Sequence, residues 1–345
     1  MNANEDLSTL RLSLCIPTYN FGTFIGETIQ SILCQMRPGV EVVVLDSGST
    51  DETPEIMERL QAQWHCLRYV RADDPCGIDR DMASVVDLAR GEFCWLFSAD
   101  DIMVAGAIDV VLAAIDGAYD LVLCLHSNDS LKMVPIQERH PVLDITQDTT
   151  FELANERQLK TYFALALTTE AFFSFMGGLI VRRATWHRVP LNEQFVGSCW
   201  AHVARLFEVV AEGLSVRVLN RVLLRRRGEN DSFGNRGIVR RFALAIDGYQ
   251  SLAAHFWGAQ SEQAFHIRRV LRSEFALPML LAAKRACATN PVLEDRRLLD
   301  RLVSELYRDR SASNLLTRLA YRSFPVALIP WAFEVRRWMR WAGLR

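Results

Sequence analysis

From Leu12 to Leu125 the chain alternates between two hydrophobic periods. Leu12–Ile16 is an apolar run stopped by Pro17, which predicts a buried strand running into a loop. Phe24–Met36 places Ile25, Ile29, Ile32 and Leu33 on one helical face. Glu41–Leu45 predicts a second strand, followed by the polar run Asp46-Ser47-Gly48-Ser49-Thr50, and Asp51–Trp64 a helix capped by Ser49 or Thr50. Leu67–Val70 predicts a third strand, Asp79–Arg90 a helix closed by Gly91 as its C-cap, and Phe93–Phe97 a fourth strand ending at Ser98-Ala99-Asp100-Asp101. Ile108–Ile115 and Leu121–Leu125 continue the alternation. Strands separated by helices of this length predict an α/β fold, with a mainly parallel, Rossmann-like sheet flanked by helices. Ligands bind such sheets beyond the carboxyl ends of the strands, where Asn20, Asp46 and Asp100 fall.

After residue 125 the pattern is mixed. Gly178–Val181, Val216–Leu219 and Val222–Leu224 predict short strands and Trp200–Val210 a helix, while Arg225–Gly237 is polar with three glycines, as a lid would be. Beyond Ile238 the periodicity is helical. The expected division is an α/β domain over 10–240 and a helical extension over 241–345. With 345 residues, half of them hydrophobic, the chain can bury a substantial core. A formal charge of −2 gives no support for a nucleic-acid partner. The eight cysteines are scattered without a CxxC pair, the pattern of reduced thiols. The N-terminus lacks a signal-peptide pattern, and the longest apolar candidate, Phe324–Phe333, is short and holds Pro325 and Pro330. A cytoplasmic location is therefore expected.

Three motifs stand at the predicted strand ends: Pro17-Thr18-Tyr19-Asn20, Val42–Asp51 and Gly91–Asp101. In this order and spacing the sequence resembles the inverting family 2 glycosyltransferases of the glycosyltransferase A-type fold, over roughly residues 10–240. The resemblance implies a nucleotide-sugar donor, held by Pro17, Thr18, Tyr19, Asn20, Asp46, Ser47, Ser49, Ser98 and Ala99. Arg80, in Gly77-Ile78-Asp79-Arg80-Asp81, would meet the diphosphate or the base-binding carboxylate. Asp46 at a strand end can accept a base N–H, or simply form a turn. A leaving nucleoside diphosphate develops charge that Mn²⁺ or Mg²⁺ stabilises, and the resemblance makes Asp100 the metal ligand. Ser98 stands where the family's first aspartate usually is. Asp100 and Asp101 can alternatively cap the next helix.

An inverting transfer also needs a base for the acceptor hydroxyl. The family generally supplies an aspartate at a helix start; here Phe195–Val203 contains no acid, and His202 takes the position. This resembles the abequosyltransferase-like branch. Histidine titrates in the right range, though His202 also reads as a structural helix residue. Glu193 is a second candidate. Gly178 and Trp200 are placed near an acceptor, and Arg227 and Asn230 in the lid. The tail Thr317–Arg345 mixes six arginines with tryptophan and phenylalanine, which suits contact with an anionic membrane surface at its inner face and a lipid-linked saccharide acceptor. The product expected from the resemblance and the tail is a surface polysaccharide or lipopolysaccharide unit. Rival readings are a non-catalytic nucleotide-sugar-binding module and a dinucleotide-dependent oxidoreductase, the latter disfavoured because Pro17–Gly22 lacks G-x-G-x-x-G.

Overall fold

The computed structural model describes residues 10–230 and 236–331. The chain divides into two compact units, Met1–Asn230 and Asp231–Arg345. Ten strands make one sheet: β1 (Leu12–Thr18), β2 (Val40–Asp46), β3 (Leu67–Arg71), β4 (Phe93–Leu96), β5 (Ile102–Met103), β6 (Leu121–Asp129), β7 (Pro135–His140), β8 (Thr149–Glu152), β9 (Leu179–Arg182) and β10 (Ser215–Arg227). Their order is β3-β2-β1-β4-β9-β6-β10-β5, with β7 beside β6 and β8 beside β10.

The nucleotide-binding half expected from the sequence, β3-β2-β1-β4, is parallel throughout. All residues of β1, β2 and β4 are buried, which is why these strands read as continuous apolar runs rather than alternating ones. The other half is mixed: β9 runs antiparallel to both β4 and β6, β6 and β10 pair in parallel, and β5, β7 and β8 add antiparallel edges.

Several local expectations change. The two strands predicted over 216–224 are one long strand, β10, irregular in register between Val218 and Leu224. A bulge lets one strand bend without ending, and the polar Asn220-Arg221 at the bend had read as a break. The first residues of the predicted lid, Arg225–Arg227, are the end of β10 and pair with Ser127–Asp129. Neither Ser49 nor Thr50 caps the second helix, which runs Thr53–Gln63. Asp51 accepts the Thr53 N–H at 3.0 Å instead, and its other oxygen takes Gly22 N–H at 2.8 Å, tying two helix starts together. Gly91 does not close a helix, since Ile78–Leu88 ends in extended backbone at Ala89. A Cβ at Gly91 would meet Ser13 N at 2.7 Å, so the glycine is required for close approach to β1.

The second unit is helical, with Ile238–Trp257, Glu262–Glu274, Leu277–Thr289, Arg296–Leu306 and Ala312–Ser323. Glu294 caps the first of these by accepting the Ile238 and Val239 N–H groups at 2.8 and 2.9 Å. Lys284 closes the last by donating to the carbonyls of Tyr321 and Phe324 at 2.6 and 2.8 Å. Leu315, Leu316 and Leu319 on that helix are 51%, 66% and 62% exposed, an apolar stripe on a helix that also carries Arg318 and Arg322.

Candidate active site

At the carboxyl ends of β1 and β2 the backbone forms a braced double turn. Thr18 lies opposite Asp46 in the strand register, and Ser47 N–H donates to Thr18 O at 2.9 Å. Asn20 takes a left-handed conformation (φ 57°), which asparagine tolerates better than most residues. Its N–H donates to Ser49 Oγ at 2.8 Å and its Oδ1 accepts Thr50 N–H at 2.8 Å. Asp46 is fully buried: Oδ1 accepts Ser49 N–H at 2.9 Å and Oδ2 accepts the Tyr69 hydroxyl at 2.5 Å. Arg71, at the end of β3, donates to Ser49 O at 2.8 Å. Asp46 is thus a brace for this loop, and both its oxygens already have donors. Open to a ligand are Tyr19, 45% exposed, and the loop edge beside it. The Thr18 hydroxyl is buried with no partner, and the Ser47 hydroxyl faces Asp81, whose carboxyl burial pushes up.

A second loop follows β4. The Ala99 carbonyl is held by Thr28 Oγ1 at 3.1 Å, which fixes the backbone on which Asp100 and Asp101 stand. Ser98 Oγ donates to Asp100 Oδ1, and Asn230 Nδ2 donates to Asp100 Oδ2 at 2.9 Å. Asp101 Oδ1 accepts Arg227 N–H at 2.9 Å, while its Oδ2 is buried without a partner. Burial, and then the neighbouring Asp100 charge, push the Asp101 carboxyl up to about 7. Arg227 is buried and fixes the loop from the end of β10: Nε donates to Asp100 O and a terminal nitrogen to Glu27, at 2.8 and 2.7 Å. Arg227 and Asn230, expected in a lid, thus meet the aspartates directly. Two adjacent carboxylates, one with an orphaned oxygen, and a serine hydroxyl form an all-oxygen set that fits hard Mg²⁺ or Mn²⁺.

The segment expected to carry the acceptor base is organised by Asp79. Its carboxylate accepts the N–H groups of Gly197, Cys199 and Ala201 at 2.8, 3.0 and 3.0 Å. That turn contains two left-handed residues, Gly197 and Cys199, and starts the Ala201–Glu212 helix. His202 is 4% exposed; its Nε2 lies 3.1 Å from Phe173 O, and Nδ1 has no partner. Nε2 is therefore the protonated nitrogen and Nδ1 keeps its lone pair. Burial pushes the imidazole below its usual value, against the opposing pull of Asp79. Trp200 precedes the helix, 8% exposed. Arg80 does not reach Asp46: it forms a two-pronged, solvent-exposed pair with Glu193 at 3.1 and 2.6 Å. Gly178 is buried in a short turn where a Cβ would stand 3.2 Å from Cys124 O, a tight contact.

Residues 13–183 match the model of the glycosyl transferase family 2. The abequosyltransferase RfbV of Salmonella typhimurium is 26% identical over 320 residues, covering 91% of this chain and 95% of that protein. The chain belongs to glycosyl transferase family 2. Within it, the near-complete overlap with RfbV places the chain in the abequosyltransferase-like branch, and its activity is glycosyl transfer. Among solved structures, S. aureus TarS 1-349 in complex with UDP-GlcNAc matches with a TM-score of 0.59 at 17% identity, over 86% of this chain and 81% of that one. The mannosyltransferase PcManGT from Pyrobaculum calidifontis, in complex with GDP-Man and Mn²⁺, matches with a TM-score of 0.54 at 18% identity, over 90% of this chain and 84% of that one. These likenesses establish the glycosyltransferase A-type fold.

The family match ends at Arg183, just after β9. It therefore includes the loops after β1, β2 and β4 and excludes the turn held by Asp79, as well as His202, Arg227 and Asn230. Tyr69, Arg71 and Asp79, which brace these loops, were not singled out by periodicity. Only Asp79 left a signal, as an acid beside Arg80 at a predicted helix start.

Proposed function

We propose that this family 2 glycosyltransferase moves a sugar, with inversion, from a nucleotide-sugar donor to a saccharide acceptor on a lipid carrier, building a surface polysaccharide or lipopolysaccharide unit. The catalytic domain is the first unit and the helical extension the second. The observation that carries the reading is the convergence, at the strand ends, of the braced turn after β1 and β2 with the loop Ser98–Asp101. The donor nucleotide lies along Pro17–Asn20 and Ser47–Ser49, with Tyr19 against the base or ribose. Asp46 acts by holding the Ser47–Ser49 backbone in place.

Asp100, joined by Ser98 and Asp101, would hold Mg²⁺ or Mn²⁺, which supplies Lewis-acid stabilisation of the departing diphosphate. Arg227 and Asn230 keep the carboxylates in place. His202 is the base: Nε2–H is fixed on Phe173 O, Nδ1 retains the lone pair, and burial keeps the ring neutral. His202 is 4% exposed, so an acceptor hydroxyl reaches Nδ1 only when its surroundings open. Support for the donor class comes from the UDP-GlcNAc bound by TarS and the GDP-Man bound by PcManGT, and for the metal from the Mn²⁺ bound by PcManGT.

The arginine- and tryptophan-rich residues 332–345 lie outside the described residues. The exposed leucine stripe of Ala312–Ser323 and Trp331, 65% exposed, support contact of the second unit with a membrane surface. Among the described residues no helix is long and apolar enough to cross a membrane. The test is sugar transfer or donor hydrolysis with a panel of nucleotide sugars. Asp100→Asn is expected to lower the rate by about 100-fold or more, and chelation to do the same to the wild type. If the wild type turns over no donor, the non-catalytic binding reading replaces this one.

A further inference from the structure

Beyond the aspartate loop, β6 and β7 carry a histidine pair that none of the site motifs includes. His126 and His140 are partners in the strand register, with rings stacked at a centroid separation of 4.8 Å. The short helix Thr169–Phe172 brings Glu170 to them. His126 Nε2 lies 2.8 and 3.0 Å from the two Glu170 oxygens, and His140 Nε2 lies 3.5 Å from Oε1. The three ligand atoms lie within 4.8 Å of one another.

The partners of His126 are the deciding detail. Its Nδ1 faces the Ser127 carbonyl at 2.9 Å and its Nε2 faces a carboxylate. Both neighbours are acceptors, while a neutral imidazole has a single N–H. The fully buried ring must therefore be a cation, or carry a cation at Nε2 in place of the proton. The second arrangement is that of a metal-ligating histidine, with Nδ1–H fixed on a backbone carbonyl. His140 is prepared likewise: its Nδ1 sits between Gln137 Oε1 and Asn128 Nδ2, at 3.3 and 3.2 Å, which turns Nε2 toward Glu170. Ligands of a tetrahedral ion at about 2.0–2.2 Å stand roughly 3.3 Å apart, so two of the spacings already suit one. His140, the more exposed histidine, can close the third.

We propose that His126, His140 and Glu170 form a site for a divalent transition ion, Zn²⁺ in the first place. Two imidazoles and one carboxylate suit borderline ions and not Mg²⁺, so this site is chemically distinct from the all-oxygen set at Asp100. Bound there, the ion ties the β6–β7 hairpin to the segment that leads into Phe173, whose carbonyl holds His202. Arg226 also acts on Glu170, and the ion must compete with that charge.

The test is Co²⁺ titration of the full-length protein after chelator dialysis, read by its visible absorption, with zinc content measured separately. The expected result is one saturable equivalent with the intense bands of a low-coordinate ion, displaced by Zn²⁺ but not by excess Mg²⁺. His140→Gln, at the rim, and Glu170→Gln are each expected to weaken binding by about tenfold or more. Asp100→Asn is expected to leave the spectrum unchanged, which separates this site from the donor-side metal. No saturable uptake by the wild type, or wild-type affinity retained in both His140→Gln and Glu170→Gln, would overturn the proposal and leave His126 and Glu170 as a buried hydrogen-bonded pair.

Discussion

His202 is hydrogen-bonded to the Phe173 carbonyl and buried almost completely. Burial depresses its pKa, so the folded protein resists a proton that the unfolded chain accepts once the pH falls below about 6.5. The stability tied to this residue is therefore present above about pH 6.5 and lost as the pH falls through the lower, folded-state pKa. His202→Gln removes the titration, and the acid limb of melting temperature against pH is expected to flatten. An acid limb identical to that of the wild type would show that the ring is not held neutral. The same variant separates stability from chemistry, because loss of transfer at pH 8 without loss of stability is what a base predicts and a purely structural histidine does not.

Among elements, the turn before the Ala201–Glu212 helix depends most on one side chain. Three N–H groups converge on Asp79, and no side chain within that helix caps its start. Asp79→Ala strands all three donors and is expected to destabilise the protein by about 2 kcal/mol or more in urea unfolding. A change below about 0.5 kcal/mol would mean that water replaces the carboxylate without loss. This dependence was hidden in the sequence because Asp79 and its partners are more than a hundred residues apart. The first donor loops were legible for the opposite reason: β1, β2 and β4 are apolar runs broken by local polar turns, and each turn lies next to its own strand. Asp46 was legible as a candidate site residue, but its partner Tyr69 comes from β3, and the bracing of the loop by that pair was not legible. β10 was misread as two strands because a bulge has no periodic signature. The His126–His140 pair escaped because β7 is almost wholly exposed and offers no apolar alternation.

At the level of the whole molecule, the two units differ in character. The first holds the family match and the loops at the ends of β1, β2 and β4. The second holds exposed leucines on an arginine-bearing helix, which an anionic surface would cover. Full-length protein is expected to sediment with phosphatidylglycerol vesicles at low salt and less at high salt. A Leu316→Glu, Leu319→Glu double variant should bind several-fold more weakly, and equal sedimentation of the two proteins would remove the membrane from the account.

A metal-assisted nucleotide-sugar site at Ser98–Asp101 is open to a ligand-induced thermal-shift test. Wild-type protein is to be melted with UDP, GDP, CDP and dTDP, each with and without Mn²⁺. One nucleotide is expected to raise the melting temperature, with a shift that grows with its concentration, needs Mn²⁺ and is lost in Asp100→Asn. No shift with any of the four, or a shift that ignores both the metal and the substitution, would contradict it.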